Sequence, residues 1–449
     1  MHNNLQLSLD YPNRLYAPGD SITGTVTGWD PSSKSSVYLI FEGRSKSYLR
    51  FKGSFDLRYR DRSPLLYQVI QLKPASSGKS TDGRFTITIP ETTQQGLSKV
   101  TELTKKHDYW THSWPKNEDF ELDPGYALPP STNQPKRINY GAVQDEHGWG
   151  YVRYTITAIQ SEVGKKKKAK VTGSALKVVW MTTARMSMSA FAERRAEESV
   201  CKEQRLTVET QRLDPAIGNR KLSFRESFKG AFSTKPILHF APVIAVPRLA
   251  VAGSEVTLSV CVRAMPINPK KSDQLGYNFP LPPITLEHIV LRLKDTTKIR
   301  CKGSVVTSEY CGEFADAVVA NQTWENKYVF YPTNDNQAYA YEPCLIDFKI
   351  PASCTPTFRT CNLRKKWYIK GDAVFSCMSE TQKTTFKCDV DIISKPRRWN
   401  AVGDDHGDVS GLMMVGEGED EDVDVLEMAA AMVEDANVVL EIIDTLSNL

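Results

Sequence analysis

Residues able to do chemistry are sparse in this sequence of 449 residues, and their spacing argues against most uses. Ser77-Gly78-Lys79-Ser80-Thr81 has the ending of a phosphate-cradling loop, but the cradle needs a glycine five positions before Gly78, where Lys73 stands. Without that ring of backbone N–H groups nothing grips a phosphate. The dinucleotide fingerprint, HExxH and GxSxG are all missing. His107 and His112 sit in a polar stretch, His147 in a Gly-rich turn, and His239 and His288 among apolar residues, the pattern of structural or surface histidines. Asp119 and Glu121 have no recognisable partner acid or base. The nine cysteines contain no CxxC, and neither Cys354 with Cys361 nor Cys377 with Cys388 has zinc-ligand spacing. The expectation is therefore a non-enzymatic chain with no catalytic residues, no metal and no cofactor. Its cysteines are read as free thiols of a reducing compartment, because Met1-His2-Asn3-Asn4-Leu5-Gln6 is too polar to open a signal peptide.

Charge is the stronger signal. Residues 401–449 hold 14 Asp or Glu and no Lys or Arg, which leaves 57 cationic against 39 anionic groups in residues 1–400, a net of +18. A basic body with an acidic end points to an anionic partner, or to an end that covers the body's positive surface. Lys165, Lys166, Lys167, Lys168 and Lys170 crown a hairpin between strands expected at 151–160 and 171–180. They form either a solvated turn or a tip for acidic lipid headgroups, phosphorylated peptide or a ubiquitin-like surface. Arg44 and Lys46 are further candidates. Tyr11, Arg14 and Tyr16 could line an edge, with core packing the simpler use of the tyrosines. No basic-aromatic RNA signature or zinc finger is present, so nucleic acid is not expected as a partner.

The elements that must position these groups are strands. Ile22, Gly24, Val26 and Gly28 alternate with hydroxyl residues, Val37, Leu39 and Phe41 repeat the pattern, and Arg84 to Ile89 ends at Pro90. Further strands are expected at 48–51, 65–72, 151–159 and 171–180. In the second half they are expected at 284–293, 297–301, 325–331, 344–350, 365–370, 373–379 and 384–392. Residues 91–128 read as an insertion, with a short helix near Leu97, Val100 and Leu103. Phe240 to Val251, the best apolar run, is cut by Pro242, Pro247 and Arg248, so no membrane span is expected. Four regions follow: a β domain at 1–183, a linker with a charged helix at 184–230, a second β domain at 231–395, and an acidic tail at 396–449. In the tail, Leu426, Val433, Leu440 and Ile443 recur at helical spacing, predicting an acidic amphipathic helix over 426–446 that docks back on the basic body or binds a helical or membrane-associated partner, the other reading being a solvated acidic tail. The fold class expected is all-β, two tandem immunoglobulin-like antiparallel β-sandwiches.

Several segments resemble one family in order along the chain. Leu15 to Val26, with the turn Pro18-Gly19-Asp20, resembles the opening of an arrestin N-domain, and Val37 to Gly43 resembles its next strand. Leu128-Pro129-Pro130-Ser131 followed by Trp149 to Ile156 resembles the family's proline-serine turn and the strand after it. Val246 to Leu258, Ile284 to Arg300 and Thr357 to Leu363 with Trp367-Tyr368-Ile369 resemble the C-domain. The chain is thus similar to the fungal arrestin-like (alpha-arrestin) proteins over about residues 5–180 and 235–393. The resemblance implies a cytoplasmic adaptor, peripheral at the plasma membrane or endosomes. Such an adaptor binds cytoplasmic tails of membrane transporters or receptors and promotes ubiquitin-linked endocytosis through a HECT-type ligase. The Pro-Pro-x-Tyr motif that recruits such ligases is missing, which leaves a general interaction scaffold of the same fold as the alternative.

Overall fold

The structure is a computed structural model. It describes residues 5–29, 35–52, 56–72, 83–95, 97, 116–122, 124–132, 138–140, 146–163, 169–184, 186–201, 204–217, 235–267, 275–302, 309–333, 338–340 and 342–394. The first half contains β1 (Gln6–Leu9), β2 (Leu15–Tyr16), β3 (Ser21–Thr27), β4 (Ser35–Lys52), β5 (Asp56–Leu72), β6 (Gly83–Thr88), β7 (Ile138–Tyr140), β8 (Glu146–Val163) and β9 (Ala169–Met181). A helix, α1 (Met188–Ala196), leads to β10 (Glu198–Val200) and β11 (Leu206–Glu209). The second half continues with β12 (Ile237–Pro247), β13 (Leu249–Val251), β14 (Glu255–Met265), β15 (Ile284–Lys302), β16 (Glu309–Trp324) and β17 (Tyr328–Phe330). It ends with β18 (Cys344–Lys349), β19 (Phe358–Arg359), β20 (Leu363–Cys377) and β21 (Glu380–Ile393).

The protein is all-β, built as two curled, open sheet units of β-sandwich-like character. In the first, β1-β3-β6 lies over β2-β9-β8-β4-β5; in the second, β12-β14-β18 lies over β13-β21-β20-β15-β16. Strand for strand, the two units have the same connectivity, including a short strand that pairs in parallel with the last one, β2 on β9 and β13 on β21. The sequence carries an echo of this. Leu15, Gly19, Ile22, Thr23 and Val26 match Leu249, Gly253, Val256, Thr257 and Val260 in spacing. Gly19 and Gly253 both adopt positive φ, at 84° and 81°, as the turn into the next strand requires. Alternation then sends Ile22 and Val26 into one core and Val256, Leu258 and Val260 into the other.

Several expected strands fuse. Val37–Phe41 and 48–51 form one strand, β4, with an irregularity at Gly43/Arg44, and 284–293 with 297–301 form β15, irregular around Lys294. The extra residues lie on the partners β5 and β16. β4 and β15 read as two strands each because polar residues, Glu42 to Ser47 and Lys294 to Thr296, interrupt the apolar alternation without interrupting the pairing to β8 and β20. β16 was not expected, since its sequence lacks alternation. The charged helix expected in 184–230 is α1, where the Ser187 side chain accepts from Ala190 N and Arg194 and Arg195 occupy the last turn. The helix expected near Leu97 to Leu103 and the one over 426–446 fall outside the described residues.

The cysteine reading needs one correction. Cys201 and Cys388 form a disulfide, joining the end of β10 to the middle of β21 with their Cα atoms 5.5 Å apart. The two lie far apart in sequence, and only the packing of one sheet of the second unit on the other brings them together.

Candidate functional site

The two halves meet along β4, β5 and β15, where one apolar core is shared. Ile299 and Cys301 of β15 and Leu363 of β20 pack among first-half residues such as Val152, Tyr154 and Leu49. Leu363 presses directly on Gly150 of β8, where any Cβ would overlap its Cδ2.

Above this apolar contact lies a buried polar network. Alternation along β4 turns Ser45 and Ser47 to the same side as Phe41 and Leu49, and both meet the connection between β19 and β20. Ser45 Oγ donates to Asn362 Oδ1 at 2.5 Å, Asn362 Nδ2 donates to Ser47 Oγ at 3.1 Å, and Ser47 Oγ donates to the Arg300 carbonyl at 3.0 Å. Arg300 is fully buried. Its Nε donates to the Cys361 carbonyl at 2.6 Å, and its guanidinium lies 4.7 Å from the Phe120 ring centroid. The Cys361 thiol contacts Ser63 Oγ and Tyr126 Oη, and burial pushes its ionisation upward.

Residues 116–122 strap this junction from outside. Glu121 N donates to the Thr360 carbonyl at 3.0 Å, Arg359 Nε reaches Glu121 Oε1 at 2.6 Å, and Lys298 Nζ reaches Asp119 Oδ2 at 2.6 Å. Arg364 pairs with the other Asp119 oxygen. Burial pulls the Asp119 carboxyl upward, but the hydrogen bond and charge of Lys298, with Arg364 and Lys366, hold it below its ordinary value. The strap lines an open cleft of about 360 Å³ with Lys116, Leu122 and Arg359. Asp119 and Glu121 are thus ion-pair anchors to the second half, a role their sequence neighbours did not announce.

The opposite face of β4 carries Glu42, Arg44, Lys46 and Tyr48, all buried. Register places Arg153, Tyr151 and Trp149 of β8 beside Arg44, Lys46 and Tyr48. Tyr48, Trp149 and Tyr151 stack with centroids 5.3 and 5.6 Å apart, and Tyr151 faces both Lys46 Nζ at 5.6 Å and Arg153 Cζ at 4.8 Å. Arg44 pairs with Glu42 at 3.6 Å. On β5, Arg62, Arg60 and Arg58 occupy the positions opposite Lys46, Tyr48 and Arg50. Between Glu42 and Arg50, these three strands therefore hold seven cationic positions and two carboxylates, Glu42 and Asp61, the latter opposite Ser47. Such a charge excess suits an anionic partner.

Arg44 and Lys46 thus belong to a cationic-aromatic sheet face; Trp149, Tyr151 and Arg153 join them, and only strand register could have connected the five. Lys170 stands in β9 opposite Glu162. Lys165, Lys166, Lys167 and Lys168 lie outside the described residues, as do Leu426, Val433, Leu440 and Ile443. Arg14 stacks on Tyr16 at 5.1 Å and pairs with Asp20 at 3.5 Å; Tyr16 is core, whereas Tyr11 is exposed. Among the described residues no group of three or more His, Cys, Asp or Glu could hold a metal ion, and no helix is long and apolar enough to cross a membrane. No protein-family model matches the chain, and no curated protein matches it.

Proposed function

We propose that the chain is a non-catalytic protein-interaction scaffold in which the partly exposed rim of the cationic-aromatic cluster, Arg50 of β4 with Trp149 and Arg153 of β8, meets an acidic protein segment, while Arg44, Lys46 and Tyr151 lie buried behind it. The observation that carries this reading is the excess of seven cationic positions over two carboxylates in this stretch of the three strands, with Arg50, Trp149 and Arg153 partly exposed. The shared core at the junction supports it, because a surface held on one packed body loses little freedom on binding. The finer assignment, tandem immunoglobulin-like sandwiches of the arrestin fold, is supported by the matching strand connectivity of the two units. Cytoplasmic tails of membrane proteins are the narrower partner class under that assignment, with ubiquitin-linked endocytosis and a HECT-type ligase as its furthest extension.

Titration of a fluorescent Asp/Glu-rich peptide into the full-length protein tests the scaffold reading. Binding should weaken steeply between about 50 and 500 mM salt, as screening of charge pairs demands, and Arg153→Gln should weaken it at low salt. Peptide binding that ignores both salt and Arg153 would overturn the assignment of this face. Affinity purification then separates the narrower classes: membrane transporters with a ligase favour the adaptor, and soluble partners alone favour the general scaffold.

A further inference from the structure

We propose that the Cys201–Cys388 disulfide is a reversible clasp, opened by thiol reductants from the Cys201 side, that holds the segment α1–β10 on the second unit. The two cysteines differ in how firmly their surroundings hold them. Cys388 sits in the middle of β21, opposite Ile369 of β20, deep in the larger sheet. Cys201 directly follows β10, a strand of three residues at the edge of the smaller sheet, where Glu198 and Val200 are exposed. Noncovalent ties on that side are few. Among the described residues they are the short ladder to β12, the bonds from Cys201 N to the Ile244 carbonyl and from Arg248 N to the Glu197 carbonyl, each at 2.9 Å, the burial of the Cys201 side chain itself, and the exposed ion pairs Glu197–Arg248 and Arg194–Asp391, each at 3.3 Å. Pro247, opposite Glu198, supplies no N–H to the ladder. Fraying of so short an edge strand admits a thiolate to the Cys201 sulfur.

Attack at Cys201 Sγ breaks the S–S bond and releases Cys388 as a thiolate, which takes up a proton. A second reductant thiol then resolves the mixed disulfide, leaving two protein thiols and one oxidised reductant after transfer of two electrons. Three buried thiols of the second unit are poor competitors. Burial pushes Cys344 up to about 11 and Cys354 and Cys377 up to about 12, so few thiolates form there. Once open, the clasp lets α1–β10 leave the edge of β12 at Ala245–Pro247 and uncovers the backbone of that edge.

The test uses the full-length protein equilibrated in glutathione buffers of graded redox poise. Differential alkylation with mass spectrometry reads the Cys201–Cys388 bond, and limited trypsin digestion reads cleavage at Arg194, Arg195 and Arg205. The oxidised form should resist cleavage, and the reduced form should be cut about tenfold faster as the segment opens. Cys201→Ser should be cut at the reduced rate under both conditions, whereas Cys261→Ser should follow the wild type. Reduced wild-type protein supplies the same comparison without any variant. Failure to recover the bond at any poise, or equal cleavage of oxidised and reduced protein, would overturn the clasp. No partner enters the readout, so the scaffold reading stands or falls separately.

Discussion

Arg300 shows how much a single side chain can carry when it is placed between two units. It is wholly buried, donates to the Cys361 carbonyl and lies against Phe120, while its own backbone N–H donates to Asn362. Arg300→Met keeps the bulk and removes the guanidinium, leaving buried carbonyls without their charged donor. The expected cost is about 3 kcal/mol, the scale of hydrogen bonds to a charged group, measured as a lower urea midpoint. Gly150→Ala tests the apolar side of the same junction. Its methyl group would meet Leu363, and overpacking of this kind costs about 1–3 kcal/mol. Neither role was legible in the sequence. Lys298-Ile299-Arg300 reads as an ordinary strand with its cations in water, and Gly150 as a turn residue beside Trp149. What places both is the packing of a long strand from the second half onto the first, and residue types do not encode that contact.

At the scale of elements, strand identity was more legible than strand length. The alternation in β3, β6 and β14 is plain because one face of each packs on a core, whereas β4 and β15 looked interrupted where polar residues, Glu42 to Ser47 and Lys294 to Thr296, replace the apolar ones. The strap over residues 116–122 is a different case. In the sequence it falls within the insertion at 91–128, but its partners Lys298, Arg359 and Arg364 come from three strands of the other half. Asp119 makes the strap sensitive to acid. Its folded-state carboxyl ionises below the usual 3.8, so its stabilising contribution is present at neutral pH and fades as pH falls through that lowered value. Asp119→Asn removes this term at every pH. The difference in unfolding midpoint between wild type and variant should therefore be largest near pH 6 and shrink toward pH 3. A difference that stays constant across that range would mean that the Lys298 and Arg364 pairs do not govern the strap.

At the scale of the whole molecule, charge and packing answer different questions. The shared core of Ile299, Cys301 and Leu363 with first-half residues couples the two units, so heat or urea should unfold the chain's folded body in one cooperative transition rather than unit by unit. The charge asymmetry concerns binding instead. Residues 401–449 bring a net of −14 on the same chain as a sheet face rich in cations, and any acidic partner must compete with that covalently attached anion. Truncation after residue 400 should then raise affinity for an acidic peptide at low salt, and the gain should vanish at high salt, where screening removes the competition. Loss of net negative charge alone would favour anion binding weakly and at every cationic surface. Competition at this face predicts more, namely that Arg153→Gln reduces the gain obtained by truncation. An equal gain with and without Arg153 would place the acidic segment's influence elsewhere, leaving the sheet face to its partner alone.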